Sequence, residues 1–398
     1  MSNVAANTLS GEQILHNISN LAIAIASRAA ESESNRRVGE DTIEDLKSAG
    51  AFRVASPRRH GGLESSLRSM LDTSAAIAEA DGGASWVVTL SNVTCWAACS
   101  MYNQEAIDEV FANGPDVILC GVVVPTGQAR RVPGGYRVSG SWAYASASLH
   151  AQWASCGAVV VDEDGQPVDQ LMMLIPRADF RVEDTWYVAG MRSSGSNTIV
   201  VDDVFVPAHR ATPLEPTLAG ANVAAHPESA LYRSAVGPML VLVVMGPQLG
   251  LGRAALRIAT TKAASKPLAY TTIGRQADSV SFQLLIAEAA ARIDTAHLHA
   301  YRAADDVDRH ARDATMPDLL TRARIRADSA VALQSINGAL NTLLNAAGAS
   351  SFAEVNPMQR IWRDSNVAAR HAVTLPQVSM ETYGKALLGA TDNITDII

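Results

Sequence analysis

Charge, aromatic residues and cysteine are all scarce in this chain. Of its 398 residues, 18% are charged, 5% are aromatic and four are cysteine. Low charge beside 48% hydrophobic residues excludes the composition of an intrinsically disordered protein. Lys and Arg number 32 against 40 Asp and Glu, giving a net charge of -8. No basic block is long enough to neutralise a run of phosphates, so nucleic acid is not an expected partner. Cys95, Cys99, Cys120 and Cys156 make no C-x-x-C motif and are too few for a disulfide scaffold, which fits a reducing cytoplasm. Residues 1–10 carry no basic group, and the apolar run at 21–26 is short and soon followed by Arg28 and Glu31, so no export signal is expected. An uncharged stretch at 234–252 approaches the roughly 20 residues of a membrane span. Pro238, Pro247 and four glycines interrupt it, and it reads as a helix buried in protein rather than in a membrane.

Several chemistries lack their motifs. There is no H-E-x-x-H and no His/Cys cluster at ligand spacing; His297 and His299 lie two apart on one expected helix and point in different directions, so no metal site is expected. No G-x-S-x-G elbow appears. The segment Gly250-Leu251-Gly252-Arg253-Ala254-Ala255 has the form GxGxxA, but no strand-helix-strand pattern surrounds it and Tyr270 stands where a ribose-binding acid is sought. Close helix packing explains its glycines better.

What is present divides the chain in three. Residues 1–116 read as helical. Asp41 can cap a helix ending near Gly50, Ser65 or Ser66 opens another that Asp81-Gly82-Gly83 stops, and residues 84–100 and 103–113 form two more. Residues 84–100 are apolar nearly all round, which predicts burial on most sides. From 117 to 212 the period shortens. Runs at 117–124, 137–139, 153–161, 170–175 and 198–206 read as strands, with turns at 133–135 and 162–165, giving a mostly antiparallel, barrel-like domain. Residues 213–398 return to helices at 248–264, 278–313, 318–347, 357–373 and 378–388, an alanine-rich bundle suited to close packing, including against another subunit. The fold class is α+β, without a Rossmann alternation.

Four of the six tryptophans fall in two segments, Trp86 with Trp96 and Trp142 with Trp153. Core packing accounts for any one of them, and a planar cofactor would use the same groups.

The order of the three regions, the triplet His60-Gly61-Gly62, GYRVSGSWAYAS at 135–146, TWYVAGMRSSGSNTIVVDDVFVPAHR at 185–210 and QRIWRDSNVAARH at 359–371 together resemble the acyl-CoA dehydrogenase superfamily. Within it the chain is most similar to the oxygenase components of two-component flavin-dependent monooxygenases that hydroxylate phenols and indoles. The resemblance implies an N-terminal helical domain, a central antiparallel β-domain that contacts flavin, and a C-terminal four-helix bundle that assembles a homotetramer. It further implies reduced flavin (FADH2 or FMNH2) from a separate NAD(P)H-dependent flavin reductase, O2 as co-substrate, a C4a-hydroperoxide, and a small apolar substrate, aromatic or polycyclic.

Residue by residue, Ser146 matches the serine that contacts flavin N5, and His371, seven residues after Asp364, matches the acid-base histidine near the substrate. Trp86, Trp142 and Tyr144 match aromatic positions of the flavin site. Arg192, Ser194 and Ser196 lie in the flavin-adjacent turn, and Lys266 or Arg275 is the expected phosphate-binding cation. Thr94 departs from the pattern, because many relatives carry a second histidine eight residues after the tryptophan; the departure points away from a simple phenol as substrate. The dehydrogenase alternative needs a catalytic glutamate after the Arg-Asp pair, and Arg370-His371-Ala372-Val373-Thr374 supplies none. N- or S-oxygenation remains a further alternative.

Overall fold

The computed structural model describes residues 9–398. Five helices come first: α1 (Gly11–Ser34), α2 (Glu40–Ser48), α3 (Leu67–Ala78), α4 (Gly82–Met101) and α5 (Gln104–Val110). Ser10 and Gln13 close a reciprocal capping box on α1, Ser66 caps α3 and Asn103 caps α5. Two expectations are corrected here. Gly39, not Asp41, is the N-cap of α2, so Glu40 and Asp41 fall in the first turn, where the helix dipole favours them. Asp81-Gly82-Gly83 starts a helix as well as following one: the Asp81 carboxylate accepts from the Gly83 N–H at 2.9 Å and caps α4.

Seven strands follow: β1 (Leu119–Val132), β2 (Gly135–Ala145), β3 (Trp153–Val161), β4 (Pro167–Pro176), β5 (Arg181–Glu183), β6 (Asn197–Pro207) and β7 (Ala211–Pro213). They form one sheet in the order β5-β6-β2-β1-β3-β4-β7, antiparallel throughout except for the parallel pair β1/β3. Trp142 is the wedge of this sheet. It is fully buried and donates its Nε1–H to the Gly157 carbonyl at 2.7 Å. A side chain at Gly127 would stand 2.9 Å from Trp142 Cη2, and one at Gly140 would stand 2.5 Å from the same atom, so two glycines make room for one indole.

The remaining helices are α6 (Glu215–Leu218), α7 (Ala221–Ala225), α8 (Val236–Val243), α9 (Met245–Ala263), α10 (Val280–Arg312), α11 (Leu319–Ala347), α12 (Pro357–Ala368) and α13 (Pro376–Leu387). Helix α11 packs against α9, α10 and α13, and α9 packs against α3. The uncharged stretch forms α8 and the start of α9; it is long and apolar enough to cross a membrane, and it is buried inside the protein. Gly250 and Gly252 lie within α9 at close helix crossings: a Cβ on Gly250 would meet Ala78 at 2.7 Å, and one on Gly252 would meet Ile336 at 2.8 Å. The expected helix 357–373 is shorter than the pattern suggests. Helix α12 ends at Ala368, and His371 stands outside it as the cap of a short 3-10 turn, Ala372–Thr374.

Candidate functional site

The end of β2 aims the first site residue. Register against β6 shifts between Trp142 and Ala145, and Tyr144 adopts φ +63, a left-handed conformation that a side-chain-bearing residue rarely takes. This turns Tyr144 outward, edge-on to Trp186 with 5.9 Å between ring centroids, and sends Ser146 into the protein. Trp86, in the second turn of α4, donates its Nε1–H to Ser146 Oγ at 3.0 Å. Ser146 Oγ meets Ser196 Oγ at 2.7 Å, and Ser196 Oγ meets Ser194 Oγ at 2.9 Å. Three buried hydroxyls from two segments therefore form one chain that ends on an indole.

The same indole reaches His371. The two rings lie 5.9 Å apart at 56°. The backbone N–H of Val373 donates to His371 Nδ1 at 3.4 Å, which leaves Nε2 to carry the proton of the neutral ring. Burial lowers the His371 pKa from its ordinary 6.5, with no neighbouring charge contributing, so the neutral imidazole is the favoured form. Thr94 faces Gly121, where a Cβ would stand 2.9 Å from the threonine methyl. The Thr94 hydroxyl donates to the Leu90 carbonyl at 2.8 Å within its own helix, so its proton is already committed.

The turn between β5 and β6 carries Ser194 and Ser196. Met191 takes φ +53 and opens the 3-10 turn Arg192–Ser194. Asp364 of α12, buried, accepts from the Met191 N–H at 2.5 Å. Sequence reasoning used Asp364 only to count to His371, although a signal was available: it falls on the buried stripe of α12 with Ile361, Ser365 and Ala368. Arg192 points away from the hydroxyl chain, donating to the carbonyls of Glu33 (3.4 Å) and Val188 (3.3 Å).

The remaining candidates lie elsewhere. Trp142 is sealed in the sheet. Lys266 lines a cleft of about 320 Å³ between the ends of α9 and α11, together with Lys262, Gln276, Ser350 and Asn356. Two of its three N–H groups reach the Ala347 carbonyl (2.7 Å) and Ser350 Oγ (2.9 Å), leaving one for a ligand. Arg275 is exposed and held in a fork by Asp278 at 2.7 and 2.8 Å, so its charge is already matched. Among the described residues no His, Cys, Asp and Glu cluster could hold a metal.

Comparison with known proteins establishes the family of the chain. Residues 242–376 match the family described as acyl-CoA dehydrogenase, C-terminal domain. The flavin-dependent monooxygenase oxygenase subunit HsaA of Rhodococcus jostii (strain RHA1) is 32% identical over 368 residues, covering 91% of this chain and 94% of that protein. The oxygenase component of p-hydroxyphenylacetate 3-hydroxylase from Acinetobacter baumannii is 28% identical and covers 96% and 90%. Among solved structures, XiaF from a Streptomyces species, in complex with FADH2 and glycerol, superimposes with a TM-score of 0.93 at 36% identity over 97% of each chain. Identity above 30% across nine-tenths of both sequences settles the family: the chain belongs to the oxygenase components of the two-component flavin-dependent monooxygenases built on the acyl-CoA dehydrogenase fold, enzymes that work with reduced flavin and O2.

Proposed function

We propose that this enzyme binds reduced flavin against the face made by Ser146, Trp86 and Tyr144 and hydroxylates an uncharged aromatic or polycyclic substrate on the His371 side. As an oxygenase component it depends on a separate flavin reductase. The observation that carries the reading is the Trp86 indole, which hydrogen-bonds Ser146 and lies against His371, so that one side chain sets a hydroxyl and an imidazole on the same wall. When bound, the flavin supplies the electrons that activate O2; the protein's part is to orient, to exclude water and to handle protons.

Ser146 presents its hydroxyl to the flavin N5 edge, with its orientation fixed by Trp86 and by Ser196 and Ser194. His371 holds a proton on Nε2 and can hand it to an oxygen atom nearby. Tyr144 covers the ring, Trp142 keeps the end of β2 rigid, and Lys266, more readily than the paired Arg275, meets a flavin phosphate. Four free, buried cysteines support a cytoplasmic setting. Exposed Val280, Leu284 and Leu298 along one face of α10 support self-association into a homotetramer.

Substrate charge follows from what faces the site. Thr94 cannot ionise, its hydroxyl is spent on Leu90, and no charge contributes to the His371 shift. A phenolate or carboxylate would enter without a counter-charge, at a desolvation cost of several kcal/mol. A neutral ring of indole or larger size has no such cost.

The test is an anaerobic titration with photoreduced FAD and FMN, followed by mixing with O2 and a panel of rings, with product and hydrogen peroxide measured. Tight binding of reduced flavin and hydroxylation of neutral rings in preference to aryl carboxylates are expected. Preference for the carboxylates would refute the substrate assignment, and indifference to reduced flavin would refute the whole reading.

A further inference from the structure

We propose that Asp364 is a positioning residue: it clamps the turn of residues 191–196 onto α12, and its ionisation loosens that turn and weakens flavin binding. The proposal rests on the reading of Ser146 as the flavin-facing hydroxyl, because the turn acts on the flavin through Ser194, Ser196 and Ser146.

Geometry carries the argument. Helix α12 holds the entry to the turn at three successive residues, 189 to 191. Arg363 donates to the Ala189 carbonyl, the Gly190 backbone rests directly on the α12 backbone, and Asp364 accepts from the Met191 N–H at 2.5 Å. The other Asp364 oxygen faces α4, where a Cβ on Gly82 would stand 3.2 Å from it. Met191 has a left-handed φ of +53, which costs energy in a residue with a side chain and persists only where the surroundings impose it. Its carbonyl is held as firmly as its N–H, accepting from Trp186 Nε1 at 2.9 Å and from the Ser194 N–H at 3.1 Å. Asp364 therefore touches the three segments whose far ends converge on the site: α4 carries Trp86, the turn carries Ser194 and Ser196, and α12 leads to His371.

The charges facing Asp364 come from every element packed there. Asp81 caps α4. Glu33 of α1 pairs with Arg363 at 2.5 Å. Arg360 belongs to α12 itself, and Arg192 of the turn donates to the Glu33 carbonyl. Burial, with Asp81 and Glu33 adding like charge, pushes the Asp364 carboxyl up to about 7, against the opposing pull of the Met191 bond and Arg360. Burial pushes Asp81 up as well. Below that value the neutral acid accepts from Met191 without adding charge. Above it a buried carboxylate stands beside buried Asp81, and the repulsion acts on the joint between α4, α12 and the turn.

The experiment compares wild type with Asp364→Asn, which keeps the acceptor oxygen and the shape but cannot ionise. Dissociation constants for photoreduced FAD and FMN are measured anaerobically from pH 6 to 8.5, with thermal unfolding recorded at each pH. The wild-type constant should rise about tenfold with a midpoint near 7, within the usual range of coupling between sites, and the Asn variant should stay flat. Asp364→Leu, which removes the acceptor, should bind weakly at every pH, and Asn should restore binding. A purely structural role would lower the melting temperature without removing the pH dependence of affinity. An Asn variant that follows the wild-type curve, or a flat wild-type curve with binding retained, overturns this proposal alone. Absence of reduced-flavin binding at every pH overturns both it and the reading beneath it.

Discussion

Replacing Gly190 by alanine should open the joint between the turn and α12. A Cβ there would stand 2.8 Å from the Asp364 backbone nitrogen and closer still to the Arg363 carbonyl, whereas ordinary contacts begin near 3.4 Å. Every obstructing atom is backbone, so no side chain can swing aside, and the turn must retreat by about 1 Å. Gly190 is not left-handed, so crowding alone is at issue. A 1 Å retreat stretches the 2.5 Å bond from Met191 to Asp364 past useful length. Overpacking costs about 1–3 kcal/mol, and an unmade buried hydrogen bond costs a similar amount. The larger effect falls on catalysis: groups near reacting atoms need placement within about 0.5 Å, and an error of 1 Å can cost roughly a hundredfold. Hydroxylation should drop on that scale while hydrogen peroxide release rises and far-ultraviolet circular dichroism keeps its helical shape. Gly384→Ala on α13, with nothing within 4 Å, serves as the control. A Gly190→Ala enzyme with wild-type product yield and flavin affinity would refute the reasoning.

Trp86→Phe deletes one N–H while keeping a ring against His371. It should cost about 1 kcal/mol of stability and weaken reduced-flavin binding several-fold in anaerobic titration; equal affinity would mean that the indole does not orient Ser146. His371 tests the sign of a lowered pKa. As pH falls below 6.5 the unfolded chain takes a proton that the buried ring resists, so folded stability declines over that interval. His371→Asn should remove that part of the decline from melting curves between pH 7 and 5, and it should abolish product while reduced flavin still binds. A variant with the wild-type slope would show that the ring titrates normally.

Element types were legible wherever burial has a short period. The apolar stripe of α3, the all-round apolar α4 and the long alanine-rich helices all declare themselves, and turn dipeptides mark off β2 and β3. Contacts set by remote segments were not legible. Nothing in residues 119–130 announces a parallel partner at 153–161, and β5 and β7, three residues each, are too short to show a period. Asp81-Gly82-Gly83 reads equally as a stop or a start, and only the cap on the Gly83 N–H decides it. At the site, the resemblance named Ser146, Trp86 and His371. It did not foretell that one indole joins the other two, nor that Arg363 and Asp364 tie the 359–371 motif to the 185–210 motif, because these bonds cross 60 to 174 positions of chain.

That tie has a thermodynamic signature apart from any flavin. A carboxyl with an ordinary value of 3.8 that stands at about 7 in the folded protein binds a proton that the unfolded chain has lost. Its contribution is intact below pH 3.8, erodes as pH rises between the two values, and is gone above 7, a difference of roughly 4 kcal/mol at about 1.4 per pH unit. A buried group with that cost is poorly explained as a stabiliser, since an amide of the same shape avoids it. Asp364→Asn should therefore unfold at a higher temperature than wild type above pH 7, with the gap closing as pH falls toward 4. If Asn is no more stable than Asp at pH 8, the carboxylate is better solvated or better paired than its surroundings indicate, and the case for a pH-sensitive clamp fails with it.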